Sequence, residues 1–70
     1  MKDKIQKHRS AYISKYGKEP VSIILGYGAR DELARLMPHQ TFEPGSLLFG
    51  MRLIIDNNKP SRVEVGDLWA

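Results

Sequence analysis

Cysteine is absent from this 70-residue chain, which excludes disulfides and thiolate metal sites and allows a reducing compartment. No apolar run approaches the ~20 residues that cross a bilayer. The opening MKDKIQKHRS also lacks the apolar segment that follows the basic start of a secretory signal. A soluble, cytoplasmic protein is therefore expected. Catalytic signatures are missing as well. His8 and His39 do not stand in H-x-x-x-H or H-E-x-x-H spacing, and none of the serines has a G-x-S-x-G context. Gly26-Tyr27-Gly28 begins like a dinucleotide loop, but Asp31 occupies the third glycine position, and no G-x-x-x-x-G-K-[ST] exists. Asp31 and Glu32 would also repel a phosphate at that helix start. The expectation is a chain that is not an enzyme and takes neither cofactor nor metal.

Small size sets the next bound. One domain of this length buries only about 60% of the surface its unfolded chain exposes, and such a core seldom supplies more than ~3–5 kcal/mol without staples. Enclosing a pocket of several hundred Å³ is correspondingly difficult.

What the chain does have is an uneven charge. Residues 1–19 carry Lys2, Lys4, Lys7, Arg9, Lys15 and Lys18 against Asp3 and Glu19, while the remainder is close to neutral. A basic arm on a near-neutral body fits an anionic partner, with Lys2, Lys4, Lys7, Arg9 and Lys15 as its contacts. The simpler reading, and the one preferred, is a solvated helix face that keeps a small protein soluble.

Within that arm, Ile5, Arg9, Tyr12 and Tyr16 recur at helical spacing, widened by Ile13. The spacing predicts a helix from Lys2 to Tyr16 with Ile5, Tyr12, Ile13 and Tyr16 buried, stopped by a left-handed Gly17 and by Pro20. Val21–Leu25 is a short β-branched apolar run, hence a strand needing cover on both faces. Gly26 and Gly28 then mark a tight turn in which positive φ is expected for at least one of them. A second helix follows over Ala29–Met37 with Leu33, Leu36 and Met37 inward, ended by Pro38. The loop HQTFEPGS turns at Pro44-Gly45, with Phe42 folded back as a core plug.

Leu48–Asp56 alternates, Phe49, Met51, Leu53 and Ile55 sharing a face. Asn57–Ser61 reverses the chain, and Arg62–Leu68 returns with Val63 and Val65 on one side. Arg52, Arg62 and Glu64 are then placed on a charged, solvated sheet face. The architecture expected is a small single α+β domain in α-β-α-β-β order: a three-stranded sheet with a C-terminal β-hairpin and helices packed on it. Residues 1–18 form the basic helix of that domain and residues 20–69 its body.

Leu48, Gly50, the run Leu53-Ile54-Ile55, Pro60 and Val65-Gly66-Asp67-Leu68 together make a pattern. Over residues 21–69 it resembles the axial-domain segment of tailed-phage major capsid proteins and encapsulins. Arg52 departs from it where that pattern prefers proline, and the long spine helix that builds a shell has no counterpart here. The resemblance implies a structural module of phage kind rather than a catalyst. Leu68 and Trp69 serve either as the last plug of the core or as an anchor for a protein partner. The functional expectation is a non-enzymatic structural or protein-interaction module, acting on an unidentified protein or on a second copy and not on a membrane. The alternative is a small nucleic-acid-binding protein using the basic helix.

Overall fold

The apolar run flagged as a strand lies at the centre of the molecule. The computed structural model describes residues 2–67. The chain forms α1 (Lys2–Tyr16), β1 (Ser22–Gly26), α2 (Tyr27–Leu36), β2 (Leu47–Leu48), β3 (Met51–Asp56) and β4 (Val63–Gly66). The four strands make one sheet in the order β2-β3-β1-β4. β1 runs parallel to β3, with Ile23 beside Leu53 and Leu25 beside Ile55. It runs antiparallel to β4, with Ile23 opposite Val65 and Leu25 opposite Val63. The domain is α+β as expected.

Two details of the expected sheet are corrected. Leu48–Asp56 is not one strand, because Phe49 (φ 52°) and Gly50 (φ 80°) turn the chain between β2 and β3. Positive φ at both central residues defines the tight hairpin turn whose twist matches the flanking strands, and it pairs Leu48 with Met51 and Leu47 with Arg52. The sheet therefore has four strands. Phenylalanine is a poor choice for that backbone, yet its side chain packs against the core, and this contact offsets the strain.

The second correction concerns the C-terminal hairpin. β3 and β4 are not neighbours, since β1 lies between them. The connection from Asn57 to Arg62 consequently crosses over the end of β1. Gly26 N–H donates to the Arg62 carbonyl at 2.8 Å, and Ala29 N–H donates to the Pro60 carbonyl at 2.8 Å. Pro60 thus satisfies one of the amides left open at the start of α2.

That crossing explains the glycines differently from the expectation. Neither Gly26 nor Gly28 has positive φ; Gly26 sits at φ −64°, ψ 156°. Instead, a Cβ on Gly26 would lie 1.9 Å from the Lys59 carbonyl oxygen, and one on Gly28 would lie 3.0 Å from that of Pro60. These positions need glycine for space, not for conformation. Gly17 does adopt φ 70° and donates to the Ile13 carbonyl at 2.8 Å, closing α1 as expected.

The core lies on one face of the sheet. Ile5 of α1, Ala29 and Leu33 of α2, and Phe42 of the loop join Ile23, Leu25, Met51, Leu53 and Val63 in one buried cluster. β1 is buried on both faces, as its apolar run required. Ile24 belongs to the opposite face and remains only 8% exposed. It is the middle residue of a central strand, set between Ile54 and Glu64 of its neighbours. Inward packing of Leu36 is also corrected. It is 58% exposed, while Ala29 takes the buried position one turn before Leu33.

Candidate functional site

α1 packs beside β4, which is an outer strand of the sheet. Between them runs an open groove of about 750 Å³, within the ordinary range of ligand sites but not enclosed. From the helix, Tyr12 and Tyr16 form its aromatic floor, with His8, Ala11 and Lys15 alongside. From the strand come Glu64, Val65 and Gly66.

Helical spacing explains the first wall. Tyr12 and Tyr16 are one turn apart on the stripe that begins with the fully buried Ile5. Ile5 seats the start of the helix in the core, and the stripe then emerges along β4. Tyr12 and Ile13 are accordingly half-buried. Tyr16, expected in the core, is 55% exposed. The two rings lie 4.5 Å apart at an interplanar angle of 44°. The Lys15 ammonium sits 5.3 Å from the centre of the Tyr16 ring, close enough for a cation–π attraction. The exposed side of α1 therefore does present an aromatic beside lysine.

The second wall is a strand edge. Antiparallel pairing sets Arg62, Glu64 and Gly66 opposite Gly26, Ile24 and Ser22, and the Gly26–Arg62 bond shows that these are the hydrogen-bonded positions. Backbone groups of Val63 and Val65 alternate with them and point away from β1, to the free edge. At the far end, Ser22 Oγ donates to the Gly66 carbonyl at 2.9 Å and is itself buried.

Lys18 and Asp67, just beyond the two elements, tie helix to strand through a 2.7 Å ion pair. This pair holds the Asp67 carboxyl below its ordinary range, with the Tyr12 hydroxyl bond acting in the same direction. Lys18 is raised by the same hydrogen bond and charge. The Tyr12 hydroxyl is raised, first by desolvation and then by the Asp67 charge. Tyr12, Lys18 and Asp67 form one linked group that sequence reading missed. Forty-nine positions separate Lys18 from Asp67, and no local signal joins them.

The residues expected to meet an anionic partner are partly together. Lys2, Lys4 and Lys7 are exposed on α1. Lys4, His8, Ala11 and Lys15 fall on one stripe by their spacing of four, three and four, of which His8, Ala11 and Lys15 line the groove. Arg9 is drawn off to the side by a 2.6 Å ion pair with Glu19. Leu68 and Trp69, expected as plug or anchor, lie outside the described residues. On the sheet, Arg62 bridges Asp56 at 2.8 Å and Glu64 at 2.5 Å, and the Asp56 carboxyl is lowered chiefly by this arginine. Arg52 and Glu64 are exposed there, as the charged face required.

A smaller hollow of about 320 Å³ follows α2, formed by Leu36, Met37, Pro38, His39 and Gln40. No grouping of three or more His, Asp or Glu that could hold a metal occurs among the described residues. Nor is any helix among them long and apolar enough to cross a membrane. No family model, curated protein or solved structure matches the chain.

Proposed function

We propose that this protein is a non-enzymatic protein-interaction module whose working surface is the groove between α1 and β4. One observation carries the reading: a strand edge that pairs with no other strand among the described residues and an exposed tyrosine face each other across an open groove of about 750 Å³. Tyrosine at a surface supplies a large contact area with a polar tip, the combination enriched where proteins meet. The resemblance of residues 21–69 to a capsid axial segment supports a structural role of phage kind. In that comparison Leu48 and Gly50 frame the β2–β3 turn, and Val65-Gly66-Asp67 forms the strand side of the groove.

The nucleic-acid reading has its own support. Lys2, Lys4 and Lys7 make no ion pair among the described residues, and Lys15 beside Tyr16 is the pairing that stacks and neutralises a single strand. Photo-crosslinking separates the two. A benzophenone side chain is placed at Tyr16, inside the groove, and in a control at Ser14, on the exposed back of α1. Discrete protein adducts from position 16 alone are expected. Adducts from neither position, together with DNA retention that falls steeply with salt, would give first place to nucleic acid.

A further inference from the structure

No further inference is drawn: the strongest candidate, the open groove between α1 and β4, sets Lys15 and Lys18 against Glu64 and Asp67 so that its charges cancel, and nothing in the structure shows what covers it.

Discussion

Gly26 and Gly28 look alike in the sequence and differ in the fold. Lys59 and Pro60 pass directly over Gly26, and the atoms a Cβ would strike are backbone, at 1.9 and 2.4 Å. Such atoms cannot rotate aside. Gly26→Ala should therefore displace the crossing connection and cost about 3 kcal/mol, at the upper end of overpacking penalties. Gly28→Ala meets the Pro60 oxygen at 3.0 Å, a contact that a few tenths of an ångström relieves. It also gains about 1 kcal/mol of helix propensity, so its net effect should be small. Urea melts of the two variants check the ranking; equal losses would mean the crossing is not what requires Gly26. Two glycines two apart announce a tight site, and in this they were legible. Whether the tightness is torsional or steric was not, because the residues responsible lie more than thirty positions away.

At the scale of elements, α1 is seated in the core near its start and tied to the strand side near its end by the Tyr12, Lys18 and Asp67 group. Its single fully buried side chain is Ile5, and the stripe that continues through Tyr12 and Tyr16 leaves the core along β4. Ile5→Ala should cost about 2–4 kcal/mol from lost transfer and cavity terms. Because Ile5 is the one side chain of α1 that is fully buried, much of that loss should appear as local release of α1. Amide hydrogen exchange checks this: α1 should exchange ahead of β1 and β3 in the variant, while uniform acceleration would show α1 and the sheet to be one cooperative unit. The helix bounds and its glycine stop were legible from spacing alone, but the depth of burial along the stripe was not. Periodicity gives the direction a residue faces, whereas its exposure depends on how far the neighbouring strand extends. β4 ends at Gly66, leaving Tyr16 beyond full cover.

At the scale of the whole molecule, a few charged contacts between elements give it a pH profile. Asp67 and Asp56 have depressed carboxyl pKa values, caused first by Lys18 and Arg62 respectively. A carboxylate lowered on folding contributes stability that is present above the ordinary range near 3.9 and lost as pH falls through its folded value. Tyr12 and Lys18 are raised. Their contribution is fully present below about 10 and lost as pH rises through their folded values. Thermal melts should show a plateau across neutral pH with losses at both extremes. Asp67→Asn should flatten both flanks, since one carboxylate serves Lys18 and Tyr12 together. An unchanged alkaline flank in that variant would exclude the linked group as its source.

The sequence by itself determined what is local: an α+β domain, the extent of α1, the central apolar strand, Phe42 as a plug and a charge excess on the first helix. These rest on spacing, β-branching and turn chemistry, which act over a few residues. Tertiary structure decided the rest. Alternation in Leu48–Asp56 could not reveal that Phe49 accepts positive φ, because the ring's core contact is what makes that turn tolerable. Two strands joined by a polar turn suggested a hairpin, but β1 lies between them and pairs with both, Ile23 and Leu25 standing beside Leu53 and Ile55 on one side and Val65 and Val63 on the other. The groove follows from that insertion, since it places β4 at the edge beside α1.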